Sequence, residues 1–309
     1  MITQELIALD TPNITELQRQ TIQSIEYFSK IQRLRVEKNE FVQEKLKKIS
    51  KQRDKFRDFA EQSITNVLKI SSHADDIILF ADCCIVDNIN NDELLKLLRP
   101  TLSNATLNKN NSELLKDRLV KIKTRLETIS TDITDHNVNN TRNNLRECID
   151  DVDEKNNKAK SAAKFSSIIS CVGSAVALGA VPFTGGASLL AVGIGTTAFI
   201  GGAVVAKNHA LEARTYSACG NFLTYLSEMR ECLKKIMEII SYCETYWETE
   251  IERIEKIIKD LKGCEPFGRL TIKRSAVLFS LRAKRIQEEA KVYSIVMPKA
   301  VNADRIFGL

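Results

Sequence analysis

Glycine and proline, the residues that most often interrupt helices and strands, are confined to a few places in this chain. Eight of the 12 glycines lie between Gly173 and Gly202, none occurs before Gly173, and the 309 residues contain five prolines. A β-sandwich, a barrel or an alternating α/β fold needs turn residues about every 8 to 20 positions. Long stretches of this sequence lack them, so the sequence predicts an all-α protein.

Apolar residues recur at three- and four-residue steps on both sides of the glycine-rich centre. The first such stretch begins at 11–13, where Thr-Pro-Asn suits the start of a helix, and it meets no further glycine or proline up to residue 72. It predicts one helix of about 59 residues. Shorter helices are expected at 74–86 and 92–98, the second of them stopped by Pro100.

A second long helix is expected from residue 111 onward, because its apolar residues alternate steps of four and three, the spacing of a coiled-coil seam. A third is expected from 207 to 262, ending at Gly263, and a last one from 270 to 297, ending at Pro298. Helices of this length predict an elongated bundle with the apolar stripes in its core. The seam of the second helix is Leu115, Leu119, Ile122, Leu126, Ile129 and Ile133.

The segment from Phe165 to Ala206 differs from the rest of the chain, because its 42 residues include no Asp, Glu, Lys, Arg, His, Asn or Gln. A Pro-Phe-Thr-Gly-Gly turn starting at Pro182 divides it into two arms. As helices the arms would reach about 25 and 30 Å, close to the hydrocarbon thickness of a bilayer. We therefore expect an apolar, membrane-inserting hairpin at 165–206, between bundle helices at 1–164 and further helices of the same bundle at 207–309.

Three sets of residues are expected to act in this hairpin. Apolar and turn residues would enter the membrane, small residues at four-residue spacing would let helices pack closely in lipid, and flanking lysines would contact headgroups. The membrane-inserting set is Phe165, Ile168, Ile169, Val172, Val176, Leu178, Val181, Pro182, Phe183, Gly185, Gly186, Leu189, Leu190, Val192, Ile194, Phe199, Ile200, Val204 and Val205. The packing set is Ala175, Gly179, Ala198, Gly202 and Ala206, and the headgroup set is Lys160, Lys164 and Lys207.

The hairpin is only marginally hydrophobic. It contains eight glycines and eight Ser or Thr residues, which makes it poorer in large apolar residues than a permanent membrane span. This composition favours a hairpin that is stored in water and inserted later. A constitutive two-span anchor and a hairpin buried in a large soluble bundle are the alternatives, and the Gly/Ser/Val-rich sequence permits either a helical or a β form of the stored segment.

Charge and cysteine content narrow the class of protein further. The net charge is +5, and the segment from Arg269 to Leu309 holds nine Lys or Arg against three Asp or Glu. Such a segment could favour an anionic membrane or nucleic acid, although a solvated helix face is the simpler interpretation. Eight cysteines without a CxxC pair predict buried free thiols. The N-terminus lacks a Sec-type signal pattern, so we expect a soluble protein, cytoplasmic or released by a non-classical route, that then associates with a membrane.

The sequence does not favour an enzyme, a metal site, a cofactor or a small-molecule substrate. The three histidines, His73, His136 and His209, are dispersed and none is at the i, i+4 spacing of a metal motif. The glycines of 193–202 match a dinucleotide-binding fingerprint poorly, because they follow apolar helix-like sequence. Nor do the C-terminal basic residues have the interleaved aromatics of a nucleic-acid-binding module.

Long amphipathic helices on both sides of a single apolar segment resemble the cytolysin A and haemolysin BL type of α-pore-forming toxin. The resemblance covers nearly the whole chain and rests on its architecture. It implies that a soluble form oligomerises on a target membrane and that residues 165–206 swing out of the bundle. The partners that it implies are a lipid bilayer and either further copies of the chain or a second toxin-like component.

The turn of the hairpin resembles a second family. Residues 176–190, VALGAVPFTGGASLL, are similar to the membrane-addressing region of apolipoprotein L proteins, in which a Pro-Phe-Thr-type turn divides two Gly/Ala-rich arms. That resemblance implies an intracellular lipid-binding or membrane-remodelling scaffold, although the N-terminal helix is longer than that family leads us to expect. A third interpretation is a soluble helical interaction protein with a buried apolar hairpin.

Overall fold

The computed structural model describes residues 11–34, 40–85, 89–158, 205–263 and 266–307. Each regular element in these ranges is an α-helix, which confirms the predicted all-α fold class. The helices have 19, 46, 68, 58 and 42 residues, far above the usual length of about 10 to 14. In chain order they are α1 (Ile14–Gln32), α2 (Glu40–Ile85), α3 (Asn91–Lys158), α4 (Val205–Lys262) and α5 (Pro266–Phe307).

The chain divides into two compact units. Unit 1 consists of Met1–Gln32, Ser50–Arg125 and Met229–Leu309, and unit 2 consists of Arg33–Ile49 and Leu126–Glu228. Three of the helices, α2, α3 and α4, therefore pass from one unit into the other along their length.

Contacts within unit 1 define the relative directions of its helices. Ile14 and Ser29 of α1 meet Glu289 and Asp304 of α5 in the same chain direction, so these two helices are parallel. Helices α3 and α4, by contrast, are antiparallel. Lys116 of α3 lies 2.7 Å from Glu244 of α4, while Lys109 lies 2.8 Å from Glu248.

Buried positions alternate at three- and four-residue steps along four of the helices. The pattern runs from Ile14 to Ile31 in α1, from Val42 to Cys84 in α2, from Leu94 to Ile133 in α3 and from Phe222 to Leu261 in α4. Helices with this spacing insert the side chains of one into the holes of the next. The predicted seam of α3 is confirmed, because all six residues from Leu115 to Ile133 are buried.

Polar residues occupy some of these buried seam positions. For this reason the periodicity of the apolar residues did not predict where α3 begins. Thr101, Asn108 and Ser112 are buried in the seam between Leu98 and Leu115, so the apolar pattern is interrupted there although the helix is not. The predicted short helix at 92–98 and the predicted long helix from 111 are one helix.

A helix-capping signal marks where α3 begins. The Glu93 N–H donates to Asn90 Oδ1 at 2.9 Å, and the Asn90 N–H donates to Glu93 Oε2 at 3.3 Å. This reciprocal pair is a capping box, and its Asn-x-x-Glu spacing is readable in the sequence. Asn13 caps α1 by accepting from the Glu16 N–H at 2.8 Å.

Two boundaries predicted from proline are wrong. Pro100 lies inside α3 and Pro298 inside α5, which continues to Phe307. A proline in a helix removes one backbone hydrogen bond, but each of these prolines is next to residues that are buried in the bundle. Leu98 and Thr101 flank the first, and Met297 and Val301 flank the second. Tertiary packing therefore outweighs the local cost of the proline.

The first predicted helix was expected to be continuous to residue 72. In the structure this stretch forms two helices, and neither of them ends at residue 72. Helix α1 ends at Gln32, Arg33 forms a turn, and α2 begins at Glu40 and passes through Ser71 and Ser72 without interruption. Neither glycine nor proline marks the break after Gln32, so the composition could not reveal it. The predicted third long helix is confirmed by α4, and Gly263 follows its last residue as expected.

Candidate membrane-inserting site

The predicted hairpin occupies the connection between α3 and α4. Helix α3 ends at Lys158 and α4 begins at Val205, and both residues belong to unit 2. The predicted site residues from Phe165 to Val204, with Lys160 and Lys164, lie outside the described residues. Val205, Ala206 and Lys207 are the first three residues of α4.

The start of α2 packs against α3 in unit 2. The ring of Phe41 stacks on His136 with 3.9 Å between centroids, and Lys45 Nζ lies 2.5 Å from Asp132 Oδ2. The Lys45 side chain is 6% exposed and its ammonium also lies 4.8 Å from the centroid of the Phe41 ring. A largely desolvated cation thus has a carboxylate and an aromatic face as partners.

The described part of unit 2 also contains buried apolar side chains. Val42 and Ile49 of α2 are buried, as are residues of α3 and α4 that continue their seams. Those residues are Leu126, Ile129, Ile133, Phe222 and Leu226. Buried apolar residues of α2, α3 and α4 therefore lie within the described part of unit 2.

Unit 1 contains a buried ion-pair cluster around Asp304 of α5. The side chains of Asp304 and Arg53 are each 3% exposed, and Arg53 Nε donates to Asp304 Oδ1 at 3.1 Å. Arg57 Nη2 reaches Oδ2 at 3.0 Å, and Ser29 Oγ donates to Oδ1 at 3.2 Å. Charge-assisted bonds to one carboxylate thus connect α1, α2 and α5.

A second polar group in the core of unit 1 is Glu250, which sits at a seam position of α4. Its carboxylate accepts from Arg253 Nη1 at 2.7 Å, and His73 Nε2 of α2 lies 3.8 Å away. Burial raises the pKa of Glu250, but the neighbouring His73 and Arg253 lower it more, so the pKa is below its ordinary value. The His73 ring meets Trp247 edge to face, with 4.9 Å between centroids.

Four cysteine side chains are described, and three of them are buried, as predicted. Cys84, Cys232 and Cys243 are buried, and Cys83 is partly exposed. Burial raises the pKa of the Cys243 thiol to about 12, which keeps it neutral and unreactive.

The described residues contain neither a candidate membrane span nor a candidate metal site. None of the described helices has both the length and the apolarity that crossing a bilayer requires. In the same part of the chain, no group of three or more His, Cys, Asp or Glu side chains is arranged to hold a metal ion.

The fold has counterparts among solved structures. No protein-family model matches the sequence, and no curated protein matches it. Soluble SmhA from Serratia marcescens matches with a TM-score of 0.59 and 9% identity over 97% of this chain and 96% of that one. Soluble AhlB from Aeromonas hydrophila gives 0.55 and 12% over 96% and 100%, and soluble SmhB from Serratia marcescens gives 0.54 and 13% over 91% and 90%.

Each of these three proteins is described as part of a tripartite α-pore-forming toxin. The resemblance of the chain to α-pore-forming toxins is therefore confirmed in its fold, over nearly the full length of both chains. The resemblance of the turn to apolipoprotein L proteins falls on residues 176–190, outside the described part of the chain, and stays a prediction.

Proposed function

We propose that this protein is a pore-forming α-helical protein of the toxin type, which converts from a soluble form to an oligomer in a target membrane. The observation that carries the proposal is the charge-free segment 165–206, placed between α3 and α4 of a fold shared with soluble components of tripartite α-pore-forming toxins. The helical units would supply solubility and contacts between subunits, without catalysis. The hairpin would supply insertion.

Insertion is driven by burial of apolar surface, worth about 25 cal/mol per Å². Because both arms lack charged residues, they avoid the cost of about 2.5 to 3.5 kcal/mol that one charge at the centre of a bilayer adds. The packing set, from Ala175 to Ala206, would let the arms approach each other in lipid. Lys160, Lys164 and Lys207 would remain with the headgroups on the side from which the hairpin enters.

The partners follow from the same proposal. SmhA, AhlB and SmhB are components of tripartite toxins, so we propose that this chain assembles with further copies of itself or with a second component of the same kind. Before insertion the protein would be soluble and would store residues 165–206 against its own helices.

Dye release from liposomes tests the proposal directly. Purified protein should release a small dye faster than a large one from vesicles prepared with and without anionic lipid. Leu190→Asp should abolish release while leaving the helical circular dichroism unchanged, because it places a charge in the apolar arm.

The matched control is Leu79→Asp on α2, where the leucine is 52% exposed and a charge is solvated. This variant should release dye as the wild type does. If Leu190→Asp permeabilises vesicles as well as the wild type, residues 165–206 are not the inserting element.

An intracellular lipid-binding scaffold is the second candidate function, favoured by the apolipoprotein L-like turn at 176–190. It is distinguished by vesicle binding without release of either dye. A soluble interaction protein with a buried hairpin would show neither binding nor release.

A further inference from the structure

The solvent-facing side of α5 combines aliphatic and basic side chains. Between residues 272 and 306, where the side chains of α5 are described, one carboxylate is exposed, that of Glu288. The exposed large aliphatic residues there are Val277, Leu278, Leu281, Val292, Ile295 and Ile306. The exposed basic residues are Arg274, Lys284, Arg285, Lys291, Lys299 and Arg305. We call these twelve residues the basic-aliphatic face.

The aliphatic residues of this face form one stripe. With 3.6 residues per turn, they fall within an arc of about 100° on the helix. The opposite side of α5 carries its core residues, among them Ile286, Ala290, Tyr293 and Met297, which are at most 2% exposed. The stripe is therefore at the solvent side of the helix and is not the margin of the core.

The neighbouring helices flank this stripe without covering it. Helix α1 approaches α5 at Glu289, which accepts from the Ile14 N–H, and α2 approaches at Gln287, which donates to Asp75. Single exposed aliphatic residues are ordinary on protein surfaces. Six of them in line, exposed by 41 to 68%, form a patch of the kind that marks an interaction site.

The outer surface of α2 provides a comparison within the same unit. Leu68 and Leu79 are exposed there by 50% and 52%, about as much as the leucines of α5. The exposed charged residues between positions 50 and 85, however, are four aspartates and three lysines. Aliphatic exposure is thus shared by both helices, whereas the strong positive charge belongs to α5.

We propose that the basic-aliphatic face is a membrane-binding surface that docks on an anionic phospholipid bilayer. Its aliphatic stripe can enter the boundary between headgroups and acyl chains while the surrounding cations attract the headgroups, as in interfacial amphipathic helices. The positive charge favours an anionic bilayer as the partner of this face. A second copy of the same face is disfavoured, because it would bring like charges together. The inference goes beyond the hairpin and does not require the hairpin to insert.

Vesicle flotation with the full chain tests the inference, in a Leu190→Asp background that removes the proposed contribution of the hairpin. The vesicles are phosphatidylcholine alone, or phosphatidylcholine with one third phosphatidylglycerol. We expect binding to the second kind, weakening as NaCl rises from about 0.05 M to about 0.5 M, since salt screens charges near the surface. Lys284→Glu with Lys299→Glu, and separately Leu281→Ser with Ile295→Ser, should each lower the affinity about fivefold or more.

The control is Leu68→Ser with Leu79→Ser on α2, which removes equally exposed leucines and should leave the affinity unchanged. The inference is overturned if the α5 variants bind as the background protein does, or if both kinds of vesicle bind equally. It is also overturned if the variants change the mass in sedimentation without changing flotation, since the face would then contact protein. If the wild-type chain releases no dye, the proposed pore is rejected and this result stays intact.

Discussion

Asp304 is the residue through which three helices of unit 1 are joined. Its carboxylate accepts hydrogen bonds from Ser29, Arg53 and Arg57, and almost none of its surface reaches water. Removing one partner of a buried ion pair costs more than the pair contributes, because the remaining charge stays buried without compensation. We therefore expect this carboxylate to contribute strongly to the stability of unit 1.

We predict that Asp304→Ala lowers the free energy of unfolding by about 3 to 5 kcal/mol, because Arg53 is left buried without its carboxylate. Urea denaturation followed by circular dichroism measures the change. Glu288→Ala on the same helix is the control and should change stability by less than about 0.5 kcal/mol, because Glu288 is exposed. A loss below about 1 kcal/mol for Asp304→Ala would contradict the importance given to the cluster.

Glu250 makes the stability of the bundle sensitive to acid. Its pKa in the folded protein lies below its ordinary value, so its contribution is present above the pKa of the unfolded chain and is lost as pH falls through the folded value. We predict that wild type and Glu250→Gln differ in unfolding free energy at about pH 7, and that the difference shrinks between about pH 5 and pH 3. A difference that stays constant over this range would show that the carboxylate does not titrate as the geometry implies.

At the scale of the helices, the seams explain what could be predicted and what could not. The stripe from Leu115 to Ile133 was predictable because each of its residues is apolar. The preceding part of α3 was not, because Thr101, Asn108 and Ser112 occupy seam positions and look solvent-facing in sequence. Whether a polar side chain is buried depends on its partners on other helices, as Asn66 approaches Ser112 at 3.5 Å.

A substitution at Pro100 tests how far tertiary packing outweighs the low intrinsic helix propensity of proline. A proline in a helix interior costs about 3 kcal/mol relative to alanine, and Pro100 is exposed and near the start of α3. We predict that Pro100→Ala raises the free energy of unfolding by about 1 to 3 kcal/mol, measured by urea denaturation.

Ser103→Ala, at an exposed position one turn further along α3, is the matched control. It should raise stability by no more than about 0.5 kcal/mol. Destabilisation by Pro100→Ala would mean that the bundle requires the local distortion that the proline imposes.

At the scale of the whole molecule, the sequence predicted the fold class, and it predicts a hairpin at 165–206, outside the described residues. Both depend on composition along the chain, namely where glycine clusters and where charge is missing. The division into two units was not predictable, because it depends on pairs as distant in sequence as Arg53 and Asp304. The same holds for the basic-aliphatic face, since the charge of the C-terminal segment is visible in sequence but its alignment with an exposed stripe is not.

Trp247 is an intrinsic fluorophore in the interior of unit 1. It is the one tryptophan of the chain, it is fully buried in unit 1, and it lies against His73 and Tyr246. The segment 165–206 contains neither tryptophan nor tyrosine. Intrinsic emission excited at the indole band is therefore blind to the hairpin entering lipid and reports on the interior of the bundle. A spectral shift on adding vesicles would time any rearrangement of the helices separately from the proposed insertion of residues 165–206.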